Sequence, residues 1–342
     1  MRIKKYVIKT LALITLLGLL LGLFGCQSSK DVKPLKWISY EFFDTFTVLY
    51  DYSGEGEESF EERRAEAESV LSLYHKLFDV YNSHEGITGV FEINKKAGQG
   101  AVKVCPELIE FLEYCKELYE LTDGAVNIAM GAVLSIWHRY REEKKAIPTE
   151  AELSLAAEHC NIDDLVIDKA ALTVELKDPY MSLDLGAIGK GYAVEKASQA
   201  LIGIGAEGCV IDSGGNLRAI GTKPDGSGWS TGITNPKKPT ADSYSYKLEL
   251  KDSALATSGD YQRYYTVDGV RYHHIIDGET LMPAGRFSSV SVLSDSAALS
   301  DGLSTAFFIM SYEDGLQLAT ELGVDVLWIT TDGKMLKTEG MS

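Results

Sequence analysis

The 342 residues carry 33 Lys and Arg against 50 Asp and Glu, a net charge of −17, and 45% of them are hydrophobic. A chain of this size and apolarity can bury the core of one large domain or of two smaller ones. The acidic balance argues against nucleic acid and against anionic lipid as partners, and any anionic ligand needs local neutralisation by a lysine, by backbone N–H groups or by a divalent cation.

Residues 1–25 read as a targeting segment. Arg2, Lys4, Lys5 and Lys9 form a basic start, Leu11 to Leu23 an apolar run, and the run stops at Gly25-Cys26. Small residues before a cysteine at this distance resemble a bacterial lipoprotein signal, with cleavage before Cys26 and lipid on its thiol. An uncleaved transmembrane anchor is the alternative. Both place the remainder on the extracytoplasmic side of the cell membrane. Cleavage would remove four positive charges and no negative one, moving the net charge from −17 to −21. Cys105, Cys115, Cys160 and Cys209 lie in no C-x-x-C pair and at no zinc spacing; buried free thiols are expected, with Cys105–Cys115 as the one candidate disulfide.

Residues 26–35 form a polar tether. Lys36 to Tyr52 has strand character throughout. Ser59 to Tyr81 has helical periodicity, with Val70, Leu73, Leu77 and Val80 on one face. Residues 82–100 read as a loop. Pro106 opens a helix that runs to Leu121 and stops at Thr122-Asp-Gly124. An apolar stretch follows from Ala125 to Tyr140, and Thr149 caps another helix ahead of Glu152. From Leu165 onward strands dominate: 165–167, 172–176, 207–211, 217–220, 229–233, 244–250, 253–257, 288–293 and 324–330. Helices are expected after Lys190, over 297–310 and over 312–322. The mix is α+β, a single compact domain over residues 36–340.

Three stretches carry candidate chemistry. Met181, Leu183 and Leu185 alternate with Ser182 and Asp184 as in a strand, which breaks at Gly186, Gly189 and Gly191 into a helix. A strand turning through glycines into a helix can present free N–H groups to a phosphate, with Lys190 adding charge, although such turns also occur without a ligand. Asp301, Ser304 and Thr305 stand at i, i+3 and i+4 of an apolar helix, so their oxygens share one face. They suit a hard cation such as Mg²⁺, or else the hydroxyls bond back to the helix and Asp301 faces solvent. In His273-His274-Ile-Ile-Asp277, alternation puts the two imidazoles on opposite sides. His274 is a candidate general base, with structural pairing as the alternative. Asp212-Ser-Gly-Gly-Asn216 and Ala256-Thr-Ser-Gly-Asp260 are strand-to-turn elements, either close to a ligand or ordinary turns.

Leu183-Asp-Leu-Gly-Ala-Ile-Gly-Lys-Gly-Tyr-Ala193, Asp212-Ser-Gly-Gly-Asn216, Thr257-Ser-Gly-Asp-Tyr261, His274-Ile-Ile-Asp277 and Asp301-Gly-Leu-Ser-Thr305 occur in this order. Together with Asp44-Thr45, Tyr81-Asn82 and Asp123-Gly-Ala-Val-Asn127, they closely resemble the ApbE family of FAD:protein FMN transferases. The resemblance implies an ApbE-like, T-fold-like domain of mixed and antiparallel sheets with flanking helices. It implies an enzyme that cleaves FAD at its pyrophosphate and joins FMN to a Thr or Ser hydroxyl of an exported protein, releasing AMP, with Mg²⁺ required. It implies Asp301, Thr305 and the Ala187 carbonyl as magnesium ligands, with Ser304 adjacent. Asp184 and Lys190 would contact FAD; Phe43, Tyr81, Ala125, Val126, Asn127 and Ile276 would line the flavin site; His274 would deprotonate the acceptor hydroxyl. Phe43-Asp44-Thr45 departs from the Met-Gly-Thr frequent in the family, Gly278 stands where proline is common, Leu281-Met282 replaces a glycine-containing turn, and Gly189 stands where alanine is frequent. The rival readings are an FAD pyrophosphatase using water, a non-catalytic flavin-binding lipoprotein, and a solute-binding lipoprotein, the last disfavoured by the lack of two similar lobes.

Overall fold

The computed structural model describes residues 33–240 and 242–341; the expected leader, Cys26 and the tether up to residue 32 lie outside the described residues. In chain order the elements begin with β1 (Leu35–Ser39), β2 (Thr47–Asp51), α1 (Glu57–Phe78), α2 (Val90–Lys95), β3 (Val102–Lys103), α3 (Pro106–Leu121), α4 (Gly131–Glu143) and α5 (Glu150–Ala157). Next come β4 (Leu165–Asp168), β5 (Thr173–Leu176), α6 (Gly189–Gly203), β6 (Cys209–Ser213), β7 (Asn216–Ile220), β8 (Trp229–Thr234) and β9 (Tyr244–Leu250). The remainder is β10 (Ala254–Gly259), β11 (Tyr264–Val267), β12 (Val270–His273), β13 (Phe287–Ser294), α7 (Ala297–Ile309), α8 (Tyr312–Leu322), β14 (Asp325–Thr330) and β15 (Met335–Lys337).

Eight strands form one sheet in the order β1-β2-β6-β7-β10-β13-β14-β15, and every ladder is antiparallel. Strand alternation sends Val326 and Trp328 to one face and Leu327 and Ile329 to the other. The first face packs on α1, α6 and α7 and holds the main core, including Leu49, Leu71, Ile211, Val290, Phe307 and Trp328. The β8–β9 hairpin covers part of the opposite face through Trp229, Ile233, Leu248 and Leu250. A third apolar cluster joins α4 and α5 to the β11–β12 hairpin through Val133, Trp137, Leu153 and Tyr265. No helix among the described residues is long and apolar enough to cross a membrane.

Most elements fall within a residue or two of their expected limits, and the Thr149 hydroxyl caps α5 by accepting the Glu152 N–H at 3.2 Å. Four expectations change. Residues 36–52 are not one strand but a hairpin, because the chain reverses through left-handed backbone at Phe43 (φ 54°) and Asp44 (φ 51°). Residues 90–95 of the expected loop are helical. The buried stripe of α1 runs through Phe60, Ala67, Leu71, Tyr74 and Leu77; Val70 and Leu73 sit at its margin. Residues 181–185 form no ladder beyond a single bridge from Ser182 to Met130. Their alternation nevertheless holds, with Met181, Leu183 and Leu185 buried. The Asn94 side chain replaces a neighbouring strand: its Oδ1 accepts the Leu183 N–H at 2.7 Å and its Nδ2 donates to the Leu183 carbonyl at 3.0 Å. All four cysteines described are free thiols, Cys115 and Cys209 buried and Cys105 and Cys160 partly so.

Helices α6 and α7 cross at Gly191. A Cβ there would collide with the Asp301 side chain and the Ala297 carbonyl, so only glycine permits this approach. At Gly203, at the other end of the same helix, a Cβ would meet open space. Gly191→Ala is therefore expected to destabilise the fold by about 1–3 kcal/mol through overpacking. Gly203→Ala should be neutral or stabilising by up to ~1 kcal/mol through helix propensity. Urea denaturation of both variants checks this; equal effects would contradict the close crossing.

Candidate active site

The α6/α7 crossing brings together residues far apart in the chain. Gly191 is the third residue of α6, so its N–H is one of the helix-start donors that have no acceptor within the helix. It donates to Asp301 Oδ2 at 2.7 Å. The Ala187 carbonyl, ahead of the helix, accepts from Thr305 Oγ1 at 3.5 Å, across 118 positions of sequence. A hydrogen bond that long is weak, so both oxygens retain capacity for another partner. Ser258, at the end of β10, joins the group: its hydroxyl lies 2.8 Å from Ser304 Oγ and 3.2 Å from Thr305 Oγ1. Ser304 Oγ also donates to its own helix, to the Asp301 carbonyl at 2.9 Å. The cluster is thus one carboxylate, three hydroxyls and one carbonyl, all hard oxygen donors.

In the glycine turn ahead of α6, Gly186 N–H donates to Asp184 Oδ1 at 2.8 Å, and Ile188 and Gly189 both donate to the Leu185 carbonyl. With Gly191 committed to Asp301, the Ala187 and Lys190 N–H groups, next to the Ala187 carbonyl, have no acceptor among the described residues.

Asp301 is 6% exposed, and burial raises its carboxyl pKa, an effect opposed by the Lys190 ammonium and the Gly191 N–H. Lys190, in the first turn of α6, also acts on His274. Burial, Arg263, His273 and Lys190 together push the His274 imidazole down to about 3, so it is neutral at physiological pH. Its Nδ1 lies 3.2 Å from the Arg263 carbonyl. A carbonyl only accepts, so Nδ1 carries the proton and Nε2 keeps its lone pair. His273 is buried and structural, bonded through Nε2 to the Ala284 carbonyl at 2.8 Å. Past it Ile275 and Ile276 part as alternation requires, Ile275 packing in the main core and Ile276 in the cluster of α4 and α5, so both are buried.

The other expected site residues divide by what their side chains can reach. Tyr81 follows α1, is 61% exposed, and lies within the electrostatic reach of Asp184, Arg141 and Arg263. Its ring centroid is 5.8 Å from that of His138. Phe43 is half-buried on the β1–β2 loop, and its N–H donates to His75 Nδ1 at 3.3 Å. Left-handed backbone at a non-glycine residue is disfavoured by roughly 1–2 kcal/mol, so that loop is held by its surroundings. Val126 and Ile276 have their side chains in apolar clusters, and Ala125 stands at the margin of the main core. The Asn127 side chain is engaged, donating to the Cys160 carbonyl at 3.0 Å and accepting the Ala129 N–H at 2.8 Å. The side chains of Val126, Asn127 and Ile276 are thus committed within the protein, as are the Val126 N–H, which donates to Thr122 Oγ1, and the Asn127 carbonyl, which accepts the Met130 N–H. Cys26 lies outside the described residues.

Sequence reasoning assigned no role to Ser258, although its motif was singled out, nor to His75, Arg141 and Arg263, which stand in no recognisable pattern. Among the described residues, no group of three or more His, Cys, Asp or Glu is placed to hold a metal ion. A cation at the α6/α7 crossing would therefore rest on a single carboxylate with neutral oxygens.

The fold and the site define an α+β domain with an oxygen-lined seat between two crossing helices and a neutral histidine beside it. The ApbE family profile matches residues 44–328. The FAD:protein FMN transferase of Treponema pallidum (strain Nichols) is 32% identical over 295 residues, 82% of this chain and 81% of that protein. That of Vibrio cholerae (strain O395) is 31% identical over 267 residues, 76% and 78% of the two chains. Among solved structures, the ApbE protein of Thermotoga maritima superposes with a TM-score of 0.80 at 26% identity, covering 90% of this chain and 98% of its own. The chain belongs to the ApbE family.

The Lys190 charge lowers the pKa of both His274 and Asp301. Removing it in Lys190→Met should raise both, because loss of a nearby cation favours the protonated form of either group. NMR titration of the His274 ring and Asp301 carboxyl reads this directly; no movement of either would place Lys190 outside the site.

Proposed function

We propose that this chain transfers the FMN moiety of FAD to a Thr or Ser hydroxyl of an exported target protein, with Mg²⁺ required and AMP released. The observation that supports the reading is the pair of hydrogen bonds that joins the start of α6 to α7, from the Gly191 N–H to Asp301 and from Thr305 Oγ1 to the Ala187 carbonyl. The donor set fits Mg²⁺, which takes oxygen ligands and retains waters and phosphate oxygens when few protein ligands are offered. Asp301, Thr305 and the Ala187 carbonyl would hold it, with Ser304 and Ser258 behind them. When bound there, the ion would supply charge neutralisation at the diphosphate.

The chain's own residues account for the rest. The acceptor hydroxyl oxygen forms a bond to the FMN phosphorus, the bond from that phosphorus to the bridging oxygen breaks, and AMP leaves with the bridging oxygen. His274 Nε2 takes the hydroxyl proton, and the Arg263 carbonyl holds the tautomer that leaves Nε2 unprotonated. Burial and the surrounding cations keep His274 neutral in the free protein. A bound diphosphate offsets those cations and raises the proton affinity of His274 when it is needed. Lys190, whose charge acts on Asp301 and His274, would neutralise the diphosphate. Phe43 and Tyr81 would face the isoalloxazine, and Asp184 the FAD.

Asp301→Ala should lower FMN transfer by more than about a hundredfold, with a change in stability of at most roughly 3 kcal/mol. Mass spectrometry of a flavinylated acceptor and urea denaturation measure the two. Magnesium-dependent turnover unchanged in that variant would overturn the site. AMP release from FAD and Mg²⁺ without acceptor, as fast as with it, would point to hydrolysis instead.

We further propose that the mature protein is anchored at the extracytoplasmic face of the cell membrane through lipid on Cys26. The apolar run ending at Gly25-Cys26 supports this, and two or more acyl chains anchor stably where one is marginal. Labelled palmitate should enter the wild-type protein and not Cys26→Ala; equal labelling would rule the site out.

A further inference from the structure

We propose that His75 is a positioning residue for the flavin side of the site: its Nδ1 accepts the Phe43 N–H and holds residues 43 and 44 in the left-handed backbone that presents Phe43 to the isoalloxazine. The inference rests on the placing of Phe43 beside the flavin given above.

Two consecutive non-glycine residues with positive φ, Phe43 at 54° and Asp44 at 51°, lie on the loop that joins β1 to β2. Nothing in their side chains selects this conformation: a bulky aromatic residue resists it and an aspartate only tolerates it. The chain must therefore be held there by contacts from elsewhere. At the Phe46 end, the Gly214 N–H donates to the Phe46 carbonyl at 3.0 Å, and Thr45 packs where a Cβ on Gly214 would stand. Within the loop, the Thr45 N–H closes the turn on the Phe42 carbonyl at 3.2 Å. At the Phe43 end the hold comes from His75, in the last turn of α1, at 3.3 Å. The His75 ring meets Phe43 edge to face, with centroids 5.5 Å apart and planes at 88°, and meets Phe42 similarly at 6.1 Å. For Nδ1 to accept, the imidazole must be neutral with its proton on Nε2; burial lowers the His75 pKa and favours that state. A glycine at position 44 would reach the same backbone with no such support. The residue pair at 43 and 44 and the histidine at 75 thus form one device, in which a side-chain acceptor does what glycine would do unaided.

The test uses the full chain in detergent micelles with FAD and ADP as probes, their affinities read by flavin fluorescence and calorimetry. ADP carries the diphosphate and adenosine of FAD but no isoalloxazine. His75→Leu, which keeps an apolar side chain and removes the acceptor, should weaken FAD roughly tenfold while leaving ADP within about twofold. His75→Asn, whose Oδ1 stands where Nδ1 stood, should retain most of the FAD affinity. Asp44→Gly added to His75→Leu should restore it. Wild-type FAD affinity in His75→Leu would overturn the proposal. So would equal losses in the Leu and Asn variants, which would make the ring and not its acceptor the determinant, or a parallel loss of ADP. Phe43→Ala separates the two readings. Unchanged FAD binding there removes Phe43 from the flavin site and the proposal with it. A loss there beside wild-type binding in His75→Leu overturns the pin alone. Should His75→Leu not fold, His75→Gln, which displaces the acceptor by one bond, takes its place against Asn.

Discussion

One capping hydrogen bond underlies the site. The Gly191 N–H, in the first turn of α6 and without an acceptor in its own helix, donates to the Asp301 carboxylate, and the Ala187 carbonyl just ahead of the helix faces Thr305. The bond requires α6 and α7 to approach more closely than any side chain at position 191 would allow. It also requires a buried carboxylate, which is costly to bury unless hydrogen-bonded and near a compensating charge. The Gly191 N–H and Lys190 meet both needs at once, and a divalent cation would meet them more fully.

The electrostatics around that bond oppose the field of the whole chain. A protein with a net charge of −17 would repel an anionic dinucleotide at a distance. Close to the site, Lys190, Arg263 and Arg141 reverse the local sign. Their influence is visible on neighbouring groups: Lys190 and Arg263 both depress His274, and Arg263 depresses Arg141 after burial. Burial contributes most to the low His274 pKa and the cations add to it, so in the proposed reaction a bound diphosphate would offset the cationic part alone.

The loop proposed to face the flavin depends on a different kind of constraint. Phe43 and Asp44 occupy backbone that their own side chains do not favour, and the loop takes its shape from His75 on one flank and Gly214 on the other. Local preference and tertiary demand disagree here, as they often do where a chain must present a side chain to a ligand. At the seat between the helices they agree, since glycine at 191 suits both its helix crossing and its hydrogen bond.

Much of this was legible in the residues alone. Apolar periodicity, the proline at 106 and the threonine at 149 mark helices whose limits lie close to those observed, and the order of the glycine-rich and acidic motifs points to the ApbE family. These signals are local, carried by neighbours in the chain. What periodicity could not reveal is where residues far apart come to rest. The segment 36–52 reads as one strand because its reversal uses no glycine or proline. Residues 181–185 read as a strand because a side chain, Asn94, satisfies the backbone that a neighbour strand would otherwise pair. Ser258 and His75 gain their roles only through partners 46 and 32 positions away. The sequence alone determined the family and nominated the residues for its chemistry; the tertiary structure decided which of their atoms are already engaged, because hydrogen bonds made within the protein are settled only by packing.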